Sequence, residues 1–205
     1  MNTFAKLLLA STLTIPALAQ STPTTPPPKP ESTETTDKPF TNFNKEDFTL
    51  QISGSYAIPI NGKDERYYTQ TVAGGYYLWD NIALYASLAG HIIDPDNEGR
   101  DTFGGEFNLF FRWHYFNYER WTLFLDVGAG VIYTEDVLPN TIGREGTRFN
   151  FTPQGGFGAG YELKENCHLI GGIRYFHVSN AGLQGADRHY GSDAMMFFAG
   201  LLWEF

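Results

Sequence analysis

Phe103-Gly104-Gly105-Glu106-Phe107-Asn108-Leu109-Phe110-Phe111-Arg112-Trp113-His114-Tyr115 is the stretch that decides the fold. Phe103, Phe107, Leu109, Phe111, Trp113 and Tyr115 share one parity; Glu106, Asn108, Arg112 and His114 share the other. Successive side chains of a strand point to opposite faces, so this segment predicts a β-strand with one aromatic face and one charged face. The same period of two runs outward in both directions. Phe48, Leu50, Ile52, Tyr56 and Ile58 alternate with Thr49, Gln51, Ser53, Ser55 and Ala57. Trp121, Leu123, Leu125, Val127 and Val131 face away from Asp126. Phe149, Phe151, Phe157 and Tyr161 face away from Arg148, Asn150, Thr152 and Gln154. Tyr67–Trp79, Ile82–His91, Cys167–Val178 and Ser192–Phe205 are less regular and complete a count of eight.

Which face turns inward decides between two architectures. A soluble, lipocalin-like barrel buries its bulky apolar face. Here the opposite face carries Glu106, Arg112, Asp126, Arg148, Arg174 and Glu204. An eight-stranded barrel has an interior just wide enough for side chains to fill, so charges of both signs can pair there while the aromatic face meets lipid. The expected fold is therefore an all-β, eight-stranded antiparallel transmembrane barrel of the outer-membrane type, over residues 46–205. The connections agree. Those around Asp80-Asn81, Asn117-Tyr118 and Lys164-Glu165-Asn166 are short, whereas Thr134–Gly146 and Asn180–Gly191 are long, as expected for periplasmic turns and outer loops. Trp79, Trp113, Trp121 and Trp203 fall near the short-turn ends, as one interfacial girdle. Terminal Phe205, closing an amphipathic strand, resembles the assembly signal of outer-membrane proteins. Glycine doublets at 74–75, 104–105, 155–156 and 171–172 read as repeated barrel bends.

The N-terminal residues agree with export. Lys6, the apolar run Leu7–Ile15 and Ala17-Leu18-Ala19 have the form of a cleavable signal peptide over residues 1–19. Residues 20–45 are rich in Pro and Thr and read as a periplasmic linker. No segment has about 20 consecutive apolar residues, so a spanning helix is not expected. A formal net charge of −9 excludes nucleic acid, whose phosphates need a basic partner. The lone Cys167 reads as a small strand residue. The acidic run Asp94-Pro95-Asp96-Asn97-Glu98 lacks an established calcium-ligand spacing. No cofactor and no metal are called for.

Chemistry concentrates near the C-terminus. His177 and Ser179 are two apart on a strand and share a face, with Cα atoms about 6.6 Å apart at about 3.3 Å per residue. A neutral imidazole within reach of a serine hydroxyl is the base-and-nucleophile arrangement of acyl transfer. With the last hairpin centred near Gly185, Asp193 lies opposite His177 as the orienting acid, with Asp187 as the alternative. Parity puts His177, Ser179 and Asp193 beside Leu169, Tyr175, Phe197 and Trp203 on the lipid side, suited to a lipid substrate of the outer leaflet. A bare His-x-Ser is common by chance, and spacing alone favours plain interfacial polar residues.

The string His177-Val178-Ser179-Asn180-Ala181-Gly182-Leu183 resembles the signature of the PagL-type lipid A 3-O-deacylases, eight-stranded outer-membrane barrels with an exterior Ser-His-acid site. The resemblance implies that His177 is the base and Ser179 the nucleophile, and that Asn180 and Gly182 stabilise the oxyanion. It further implies an outer-membrane esterase that removes an ester-linked acyl chain, at the 3-O position, from lipid A of lipopolysaccharide. The family acid is usually Glu and somewhat closer to the His, whereas counting strictly here lands near Gly191. A homodimer stays open. Two other readings remain: a structural or adhesive barrel with a degenerate site, and a soluble lipid-binding barrel.

Overall fold

The computed structural model describes residues 43–60, 65–94, 100–138, 146–183 and 191–205. The expected signal peptide, most of the Pro/Thr-rich linker, Asp187 and the centre of the acidic run lie outside the described residues. The strands are β1 (Phe48–Pro59), β2 (Arg66–Trp79), β3 (Ile82–Asp94), β4 (Thr102–Tyr118), β5 (Trp121–Leu138), β6 (Thr147–Phe151), β7 (Gln154–Lys164), β8 (Cys167–Ser179) and β9 (Gly191–Glu204). Neighbouring strands pair antiparallel, except that β6 and β7 do not pair with each other and each pairs with β5 and β8; β9 pairs back to β1 through Thr49↔Glu204 and Pro59↔Ala194. Among the described residues the ring therefore closes and leaves no unpaired sheet edge.

Nine segments make eight staves because β6 and β7 are one strand. Their register with β5 does not slip, with Val131↔Phe151 above the break and Val127↔Gly155 below it. The same holds against β8, at Phe151↔Ser179 and Gln154↔Phe176. The break falls at Pro153, which has no N–H to give a ladder. Its carbonyl still accepts the His177 N–H at 3.1 Å.

Alternation buries the charged residues in the lumen, among rings such as Tyr77, Tyr85, Phe110 and Phe124, and leaves the outer surface apolar, which rules out the lipocalin-like inversion. Arg112 is fully buried in the lumen. Its Nε and Nη2 donate to both Asp126 oxygens at 2.8 and 2.9 Å, and its Nη1 donates to Gln51 at 3.0 Å. Arg174 Nη2 donates to Asp126 Oδ2 at 2.6 Å. A second layer joins Thr69 to His91 and His91 to Glu106, each at 2.9 Å, and Thr152 donates to Glu106 at 2.5 Å. These pairs satisfy charges that water cannot reach. Outside, Leu88, Phe107, Phe111, Val127 and Phe157 are exposed, as a lipid-facing wall requires.

The glycine doublets divide their work across the wall. In each, one glycine faces the lumen where a Cβ would collide: within 2.5 Å of Tyr85 at Gly75, 2.8 Å of Thr134 at Gly104, 2.1 Å of a backbone oxygen at Gly156 and 2.3 Å at Gly172. Gly75 and Gly104 thus make room for lumen side chains, and Gly156 and Gly172 for close approach of the neighbouring strand's backbone. Arg148, expected to face inward, is exposed instead. The β5–β6 register shifts between Tyr133 and Leu138, so inside-outside parity is lost there.

All three short turns lie at one end, at Asp80–Asn81, Glu119–Arg120 and Glu165–Asn166. The middle turn is two residues later than expected, because Asn117 and Tyr118 still pair with Thr122 and Trp121. One residue of each turn has positive φ: Asn81 at 64°, Glu119 at 50° and Asn166 at 61°. Phe43, inside the expected linker, packs into the lumen at this end. Its ring stacks on Tyr77 at 5.1 Å and lies 4.1 Å from His114. Its carbonyl accepts the Asn81 N–H at 2.8 Å.

Candidate active site

At the opposite end, the β8–β9 hairpin sets the site. Pairing places His177 opposite Asp193 and Ser179 opposite Gly191. His177 Nδ1 and Asp193 Oδ1 are 2.5 Å apart. The backbones behind them are tied on both sides. The His177 N–H donates to Pro153 of the neighbouring stave, and the Asp193 carbonyl accepts the Ile60 N–H at 2.9 Å. The carboxylate and imidazole thus meet across a ladder that strands on either side brace. With Nδ1 turned to the acid, Nε2 is the nitrogen left to face a reacting group.

Gly191 fixes where the imidazole lies. A Cβ at this position would come 2.8 Å from His177 Cε1 and 3.4 Å from Nε2. The ring therefore extends from Asp193 along the hairpin, over the residue that pairs with Ser179. Ser179 itself is only 7% exposed, set between Phe151 of β6 and Gly191 of β9. The His177 and Asp193 side chains are each 27% exposed. Ser179 thus sits deep at the strand end, with the His177–Asp193 pair one outward position away on the same hairpin. Tyr175 and Phe197, on the same face, are exposed toward lipid.

After Ser179 the chain turns tightly. The Leu183 N–H donates to the Asn180 carbonyl at 3.1 Å, with φ at 53° for Ala181 and 74° for Gly182. The Gly182 N–H donates to Asn180 Oδ1 at 2.9 Å. This amide, expected as an oxyanion donor, is therefore engaged within the turn. What it does here is orient the buried Asn180 carboxamide, with the oxygen toward the turn and the Nδ2 group on the other side.

Two neighbours escaped the sequence reading. Tyr175 donates its hydroxyl to Asp193 Oδ1. Gly191 supplies the space for the imidazole. Both were signalled by position, Tyr175 two residues before His177 on its face and Gly191 in register with Ser179, but their roles depend on side-chain reach. Asp187, the alternative acid, is outside the described residues.

Residues 50–201 match the profile of the family described as "Lipid A 3-O-deacylase (PagL)". Among solved structures, the outer membrane enzyme PagL superposes with a TM-score of 0.56 at 18% identity, covering 72% of this chain and 97% of that one. Neisserial surface protein A gives 0.57 at 11% identity, covering 78% and 96%. The outer membrane protein OprG of Pseudomonas aeruginosa gives 0.51 at 12%, covering 81% and 99%. No curated protein sequence matches. The fold is thus common to an enzyme and to proteins titled otherwise, so function has to be argued from the site. The chain is located in the outer membrane as a β-barrel.

Proposed function

The chain belongs to the lipid A 3-O-deacylase (PagL) family, and we propose that it hydrolyses the 3-O-linked acyl ester of lipid A by a Ser179-His177-Asp193 mechanism. The observation that carries this reading is the His177–Asp193 pair, joined at 2.5 Å on the lipid-facing wall, with Ser179 at the next outward position of the same strand. By the rule of long outer loops and short periplasmic turns, that end of the barrel lies at the outer leaflet. The substrate there is an amphiphile whose ester lies near the headgroup boundary, level with the strand ends.

The reaction follows from the groups present. Ser179 Oγ attacks the ester carbonyl carbon while its proton passes to His177 Nε2. Asp193 accepts the Nδ1–H, which fixes the tautomer and stabilises the imidazolium. The negative charge on the carbonyl oxygen is met by Asn180 Nδ2, held in place by the Gly182 amide. Collapse breaks the carbon–oxygen bond, and the departing lipid hydroxyl takes the proton back from Nε2. Water then attacks the Ser179 acyl ester with His177 as base, releasing the free fatty acid and restoring the serine. Asp is one methylene shorter than the usual family Glu, and the direct pairing of residues 177 and 193 brings it within reach.

A fluorophosphonate probe tests the nucleophile on the purified full chain in detergent micelles. Ser179 becomes labelled in the parent protein, and the Ser179→Ala variant takes no label. Hydrolysis of lipid A by that variant falls by about a million-fold. A folded barrel that neither labels nor releases fatty acid would instead be the structural barrel with a degenerate site.

A further inference from the structure

The carboxylate of Asp193 takes a second donor that the Ser-His-Asp scheme does not use. Tyr175 stands two residues before His177 on β8 and pairs with Met195, so Asp193 is its diagonal neighbour on β9. An aromatic side chain spans that diagonal. Its hydroxyl donates to Asp193 Oδ1, the same oxygen that lies 2.5 Å from His177 Nδ1. The Tyr175 ring is exposed on the lipid-facing wall, on the membrane side of the acid, with its polar tip at the level of the site.

From this convergence we propose that Tyr175 is a positioning residue that holds Asp193 in line with His177. The proposal rests on the Ser-His-Asp reading. The terminal torsion of an aspartate is soft, so one hydrogen bond from an imidazole leaves the carboxylate able to swing. A second donor to the same oxygen, from another direction on the same hairpin, removes that freedom. It also matters where the carboxylate stands. On an outer wall beside hydrocarbon, a tyrosine whose ring meets lipid and whose hydroxyl meets the acid keeps the charge solvated by a fixed partner. Tyr175 touches no reacting atom; it acts through Asp193, and its contribution is to the geometry of proton transfer.

Tyr175→Phe keeps the ring and removes only the donor. Kinetics on the purified full chain with lipid A in micelles are expected to show kcat lower by about tenfold, as for the loss of one hydrogen bond to a charged group, with KM unchanged. In the Asp193→Ala background, the same substitution adds no further loss, because the partner it acts through is gone. A readout free of turnover runs beside this. The low-field Nδ1–H proton resonance of His177, recorded in Ser179→Ala protein, shifts and broadens when Tyr175→Phe is added. An unchanged resonance together with parental kcat overturns the proposal. So does a rise in KM alone, which would make Tyr175 a substrate contact, or an equal loss with and without Asp193. If the parent chain turns over no lipid A, the hydrolase reading fails, and the resonance alone decides whether Tyr175 positions Asp193.

Discussion

Gly191 has no side chain where the His177 ring needs room. An added methyl group would sit 2.8 Å from Cε1, closer than carbon atoms approach, so the ring or the strand must move. Gly191→Ala is therefore expected to lower lipid A hydrolysis by about a hundredfold, since displacement of a reacting group by about 1 Å costs that much. Folding should be retained, because the collision is with a part-exposed side chain at a strand end. Parallel measurement of kcat and of folded fraction by gel mobility checks both halves. The candidate residues His177, Ser179 and Asp193 could be picked out in the sequence because parity alone puts them on one face. What was not legible depended on three-dimensional reach. Tyr175 looked like one more lipid-facing aromatic. Gly191 looked like the place where an acid was missing, yet it is the space that lets the imidazole lie along the hairpin. Gly182 was expected to donate to an oxyanion, and the turn instead spends its amide on Asn180.

Strands translate this placement into rigidity. The register of the β6–β7 stave continues across the interruption at Pro153, so the hairpin bearing the candidate site is flanked by a neighbour held in constant register. Period two exposed the strands, but it could not show that Pro153 would interrupt a ladder without shifting it. It also failed for Arg148, where an irregularity on β5 cancels the alternation. Between staves, the lumen cluster of Arg112, Asp126 and Arg174 links β4, β5 and β8. Asp126→Ala removes the carboxylate that both arginines pair with among the described residues and leaves two buried cations near each other. Breaking a buried pair from one side costs about 3–5 kcal/mol. Denaturant unfolding of the refolded barrel should show that loss as a lower midpoint, with Asp126→Asn in between. A midpoint equal to the parent protein would mean the cluster contributes nothing to stability.

Over the whole molecule, the two ends have separate tasks. One end is closed by tight turns and by Phe43, whose ring is buried against Tyr77 and His114. The other carries the hairpin and Asn180 turn of the site. Phe43→Ala is expected to lower the unfolding free energy by about 3 kcal/mol, seen as a lower denaturant midpoint. It should leave the hydrolysis rate of the folded protein unchanged, because a filled barrel separates it from the site. The Pro/Thr-rich composition suggested a bare spacer up to residue 45, and Phe43 shows that its last residues are part of the barrel. Placement on the outer wall, rather than in the filled lumen, gives the proposed Ser179-His177-Asp193 set access to lipid. Mass spectrometry of lipid A from cells producing this chain, beside cells producing Ser179→Ala, tests that claim most directly. The account predicts loss of one ester-linked hydroxyacyl chain with the intact serine and an unmodified profile with the variant. An identical profile in both, with the barrel folded in the outer membrane, would contradict it.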